Sequence, residues 1–94
     1  MKQITISQDL FTAINHLCTG IESKILITAI GLEDNHCPAP TVDYMMAATG
    51  ITQKNHYFVN RRKLIDKNYL SLNPDGTMHV HTSNILYDYA PTNS

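Results

Sequence analysis

The four residues Thr49-Gly50-Ile51-Thr52 leave this chain little freedom. Helical periodicity precedes them and helical periodicity follows. Gly50 can stop a helix in the left-handed region without a Cβ penalty, and Thr52 is a good N-cap for the next one. Before the turn, Thr41 caps a short helix over about 42–49, with core contacts expected at Val42, Met45, Met46 and Ala47 or Ala48. After it, a longer helix is expected over Gln53–Lys67, with Ile51 buried in the turn and Asn68 as a left-handed cap. Helices joined this tightly around a glycine cross at a steep angle.

Downstream, Tyr69, Leu70 and Leu72 read as a strand, and Met78, Val80 and Thr82 as its return. Between them Asn73-Pro74-Asp75-Gly76 is a strong turn, because Pro presets φ and Asp-Gly supplies a positive dihedral. Upstream, Ser7 caps a helix with Leu10, Phe11, Ile14, Leu17 and Cys18 at three- and four-residue spacing, ending near Thr19-Gly20. A second helix over 21–32 has the apolar stripe Ile21, Ile25, Leu26, Ala29 and Ile30. Ile27 widens that stripe, so this helix is expected to be the most buried. Gly31 and the polar run 33–36 end it, and Cys37-Pro38-Ala39-Pro40 is an extended connector. Met1 to Ile6 reads as a short strand or an extended lead-in. The 94 residues allow one domain, with a core over about 7–82 and a C-terminal arm over 83–94.

Charge is distributed unevenly. Residues 51–70 carry Lys54, Arg61, Arg62, Lys63 and Lys67 against Asp66 alone, a net +4, while residues 1–50 carry −3 and residues 71–94 carry −2. The overall charge of −1 argues against a surface that clings to nucleic acid everywhere. Five of the seven basic residues in twenty positions instead point to one cationic element. A solvated helix face is the bland alternative.

The order helix, helix, short helix, tight turn, basic helix and hairpin is that of a winged helix-turn-helix: mainly α, four helices plus a two- or three-stranded wing. The residues themselves support a closer likeness. Pro40-Thr41, Ala48-Thr49-Gly50-Ile51-Thr52, Tyr57-Phe58 and Arg62-Lys63-Leu64-Ile65-Asp66-Lys67-Asn68-Tyr69-Leu70 resemble the winged helix-turn-helix modules of phage and plasmid replication proteins. They also resemble those of small phage or mobile-element regulators. The likeness spans about residues 7–82. It implies sequence-directed binding of double-stranded DNA, by a small transcriptional regulator or a replication-initiator module. Two departures stand out: Asn68 replaces the usual glycine, and the start of the basic helix is one residue longer than in many relatives.

In that helix, steps of about 100° per residue place Tyr57, Phe58, Leu64 and Ile65 on a core stripe. His56, Asn60, Lys63 and Lys67 form a polar stripe, with Thr52 and Val59 beside it. His56, Val59, Asn60 and Lys63 are the expected groove contacts, together with Gln53, Lys54 and Asn55 at the helix start. Lys54, Arg62, Lys63 and Lys67 supply phosphate attraction. Arg61 falls inside the apolar stripe and is expected to snorkel along Tyr57 or pair with Asp43 or Asp34. The wing tip carries only Asp75, leaving the amides of Gly76 and Thr77 as its means of touching phosphate. His79 and His81 share one strand face, where protonation would favour DNA.

No enzyme is expected. The chain has no Gly-rich phosphate loop, no Gly-x-Ser-x-Gly and no His-Glu-x-x-His. His36-Cys37 and His79-x-His81 match no closed zinc pattern, so neither metal nor cofactor is expected. Two cysteines outside any Cys-x-x-Cys pair suit a reduced, cytoplasmic chain. No apolar run approaches the ~18–20 residues of a membrane span, and residues 1–7 do not resemble a signal peptide. A monomer of such modest charge would hold DNA weakly, which suggests a homodimer or a larger assembly. Ile85, Leu86, Tyr87 and Tyr89 form the candidate association arm, unless that segment packs back on the first helix. The alternative function is a protein-interaction module that binds a protein partner instead of DNA, for example a phage factor acting on host machinery.

Overall fold

The structure is a computed structural model and describes residues 7–89. Its order is α1 (Gln8–Leu17), α2 (Gly20–Asp34), α3 (Val42–Thr49), α4 (Lys54–Asp66), β1 (Leu70–Leu72), β2 (Met78–Val80) and α5 (Thr82–Tyr89). It is mainly helical, with one two-stranded antiparallel hairpin. The reading of Met1 to Ile6 lies outside the described residues, as does the end of the arm beyond residue 89.

Local chemistry explains most boundaries. Ser7 and Thr41 each accept a bond from the backbone N–H three residues on, at 3.1 and 3.0 Å. Each therefore satisfies one of the four orphan donors of its helix. Gly50 ends α3 at φ 76° and Asn68 follows α4 at φ 66°, both left-handed. Between α1 and α2, however, Gly20 does not act as a stop. It begins α2, because Thr19 and Glu22 form a capping box: Thr19 Oγ1 accepts from the Glu22 N–H, and the Glu22 carboxylate accepts from the Thr19 N–H at 2.8 Å. Gly31 likewise lies within α2, which runs on to Asp34. Thr52 is not the cap of α4 either. Gln53 takes that position and makes no side-chain cap bond.

The core gathers around α2, which packs against α1, α3, α4 and β2. Ile25, Leu26, Ala29 and Ile30 are buried there, with Glu22 and Ser23, so α2 buries more of its residues than any other helix. Met45, Ile51, Tyr57, Leu64 and Leu70 close the core from the other side. Expected core positions in α1 and α3 prove to be on the outside. Ala47 and Ala48 are exposed, and Thr49 takes the buried place at that end of α3, its hydroxyl donating to the Met45 carbonyl at 2.7 Å. Phe11 is 45% exposed.

The hairpin pairs Leu70 with Val80, Ser71 with His79 and Leu72 with Met78. Val80 faces its N–H away from β1, and the Glu33 carboxylate at the end of α2 accepts it at 3.1 Å. Residues 82–89 are the helical form of the arm, and they lie against α1. Ile85 is wholly buried, and Leu86 and Tyr89 pack on the core. Tyr69 donates its hydroxyl hydrogen to Asp88 at 2.8 Å, and the Asn84 amide donates to the Asn68 carbonyl, so α5 also secures the exit from α4. Among the described residues no helix is long and apolar enough to cross a membrane.

Candidate nucleic-acid interface

Helix α4 lies with Tyr57 and Leu64 fully buried against the rest of the molecule. With Lys54 as the origin, those two point in a mean direction of about 290°. The opposite direction, about 110°, is the crest of the helix, and it holds Asn55, Val59, Arg62 and Asp66. All four are exposed. Lys54 and Lys63 stand on opposite flanks of that crest, about 110° and 70° from it, and both are exposed. His56 accompanies Lys63 on its flank.

This phase differs from the one the apolar pattern implies. Phe58 and Ile65 pull the sequence-derived stripe toward them, but Phe58 is exposed and Ile65 only partly buried. The guanidinium of Arg61 sits 4.9 Å from the Phe58 ring centroid and 5.4 Å from that of Tyr57. Arg61 thus lies across two aromatic faces, a favourable cation–π geometry that uses its apolar stem as cover. Asn60, expected in the groove set, turns back instead: its amide donates to the His56 carbonyl at 2.8 Å.

Lys67 also departs from the expected phosphate contacts, although its side chain remains 38% exposed. Its ammonium donates to both carboxylate oxygens of Glu22, at 3.2 and 3.3 Å, and lies 3.4 Å from the Leu17 carbonyl. Glu22 is 1% exposed, so this cation neutralises a buried acid at the junction of α1, α2 and α4. The Thr19-x-x-Glu22 spacing was the signal for Glu22. Nothing in the sequence pairs that acid with Lys67.

The remaining expected residues fall together. Thr52, Gln53, Lys54, Asn55, His56, Val59, Arg62 and Lys63 are all exposed, on the crest and flanks of α4 and on its approach. Arg62 is joined along the crest by Asp66, Nε to Oδ1 3.4 Å, with both side chains mostly in solvent (78% and 66%). The start of α4 differs from that of α1, α2 and α3. Those three have a capping side chain and an acid in the first turn; α4 has neither, and it begins with a lysine. A cation there opposes the helix dipole.

The two expected donors of the hairpin tip, Gly76 and Thr77, are both engaged within it. Gly76 donates its N–H to the Asn73 carbonyl at 2.9 Å, and Thr77 donates both its N–H and its hydroxyl to Asp75. These bonds hold the Asp75 carboxyl below its ordinary range. The tip amides are therefore not available to phosphate, contrary to expectation. The Gly76 Cα also faces Ala39, where an added Cβ would come within 3.2 Å of the Ala39 Cβ. His79 pairs with Glu33 at the end of α2, and His81 lies 3.1 Å from the Ser71 hydroxyl across the hairpin. Among the described residues no group of three His, Cys, Asp or Glu is placed to hold a metal. In the arm, only Tyr87 of the four candidate association residues stands clear, at 82% exposure.

Models of known families, curated proteins and solved structures were all compared with the chain, and none matches it.

Proposed function

We propose that the protein is a non-catalytic DNA-binding module of the winged helix-turn-helix type, with α3 and α4 as the helix pair and the β1–β2 hairpin as the wing. The observation that carries this reading is the exposed side of α4. A crest of Asn55, Val59, Arg62 and Asp66 is flanked by Lys54 and Lys63, and among the described residues no other element covers it. An α-helix fits the major groove of B-DNA, with its crest toward base edges and its flanks toward the two phosphate strands. Lysines on both flanks suit that geometry. A phosphate near Lys54 would also satisfy the uncapped first turn of α4 and reverse the unfavourable charge there.

The activity would be that of a small transcriptional regulator or a replication-initiator module, matching the resemblance carried by residues 40–70. The test is an anisotropy titration of a labelled random-sequence duplex at low salt. Wild type binds, and the Lys54→Ala/Lys63→Ala variant binds at least tenfold more weakly. Equal binding by the two, or none by either, contradicts the proposal.

One observation favours a protein partner instead. The hairpin tip carries a carboxylate and no cation, and its Gly76 and Thr77 amides are spent internally, which weakens the case for a phosphate contact there. Failure of the titration would leave that reading, with Tyr87 and the exposed Tyr44 as its first candidates for contact.

A further inference from the structure

The crest of α4 holds a feature that phosphate attraction does not explain. Asp66 sits in the middle of the face that would meet DNA, where a lone carboxylate would repel the backbone. It is joined to Arg62 one turn earlier, and together they make the crest electrically neutral. The net positive charge of the exposed face lies instead on the flanks, at Lys54 and Lys63. A neutral crest between cationic flanks separates two tasks: the flanks meet phosphate and the crest meets bases.

From this arrangement we infer that Arg62 and Asp66 act as one reader of a G·C base pair, an inference that rests on the DNA-binding reading above. The chemistry is complementary. Guanine presents two acceptors in the major groove, O6 and N7, and cytosine presents one donor, its N4 amino group. A guanidinium donates to the first two and a carboxylate accepts from the third. Asp66 approaches Arg62 at Nε, 3.4 Å, and the two terminal nitrogens are the donors that would meet guanine. Beside the pair, Val59 is an aliphatic side chain standing 45% exposed on the same crest, where a thymine methyl is the natural contact.

The experiment selects bound sites from a random duplex pool with wild-type protein, then measures affinity for the winning duplex and for versions with single base-pair changes. Wild type is expected to hold one G·C pair fixed and to lose roughly tenfold or more in affinity when it becomes A·T. Asp66→Asn and Arg62→Lys keep binding to the unselected pool but discriminate at that pair by less than about threefold. Circular dichroism melts like those of wild type would confirm that both variants fold, as expected for exposed positions. Full discrimination retained by either variant overturns the inference and makes the pair an ordinary bond along the helix. Wild-type binding to the pool with no G·C preference overturns it too, while leaving DNA binding intact. No binding to the pool at low salt removes both readings together.

Discussion

Lys67 has the same charge as Lys63 and stands four positions further along the chain, yet the two do different work. Lys63 is exposed, whereas Lys67 neutralises Glu22. Lys67→Met leaves that acid sequestered without its cation and is expected to destabilise the fold by about 2–3 kcal/mol. This is less than for a fully buried pair, because the Lys67 side chain is 38% exposed. Adding Glu22→Gln recovers most of the loss, since a neutral amide needs no counter-charge. Urea unfolding of the two single variants and the double variant measures this; strictly additive losses would refute the coupling. Cys18 gives a second prediction. Burial pushes its thiol up to about 11, although Lys67 nearby pulls the other way. Burial, and then its bond to Asp88, raise the Tyr69 phenol as well. Both folded-state values lie above the unfolded ones, so the folded state holds its protons longer. The associated stability is complete below about pH 9 and declines as pH rises through about 11. Urea melts from pH 8 to pH 11 should show that decline, and Cys18→Ala should flatten it. The residues legible in the sequence are those whose partners are close in the chain: Ser7, Thr41, Gly50 and Asn68. Glu22 with Lys67 and Glu33 with Val80 are separated by 45 and 47 positions, and no local pattern reports such a bond.

Elements follow the same division. The extents of α1 and α3 follow from their caps and periodicity, and the Asn-Pro-Asp-Gly turn places the hairpin. The rotation of α4 is another matter. Its apolar residues cover more than one side, and which of them face inward depends on what α2 and α3 present. Phe58 ends outside, under the Arg61 guanidinium, and the crest moves toward Asn55 and Arg62. That shift removes Asn60 from the expected contacts and brings in Asp66, which the sequence did not single out. The arm was open between packing and association, and its burial favours packing: Ile85 sits in the core beside α1, with Tyr87 outside. Ile85→Ala should therefore destabilise by roughly 2–4 kcal/mol, and Tyr87→Ala by less than about 0.5. Thermal denaturation distinguishes the two, and an equal effect would mean that α5 does not pack as described.

Across the whole molecule, a net charge of −1 conceals a division of labour. The cationic stretch at 54–67 supplies one ion pair inside the fold, one cation on aromatic rings, one pair along the crest and two free flanks. Of those five cations, only Lys54 and Lys63 have neither an ion pair nor an aromatic partner among the described residues. The account therefore depends on two lysines rather than on five basic residues. The direct measurement is the salt dependence of duplex binding, taken between about 50 and 200 mM. Each phosphate contact contributes roughly 0.9 to the slope of log K against log salt. Lys54→Ala/Lys63→Ala should flatten the wild-type slope by about two units, and Lys67→Met, if folded, should leave it unchanged. A slope that the double variant shares with wild type would contradict the placement of DNA on this side of α4.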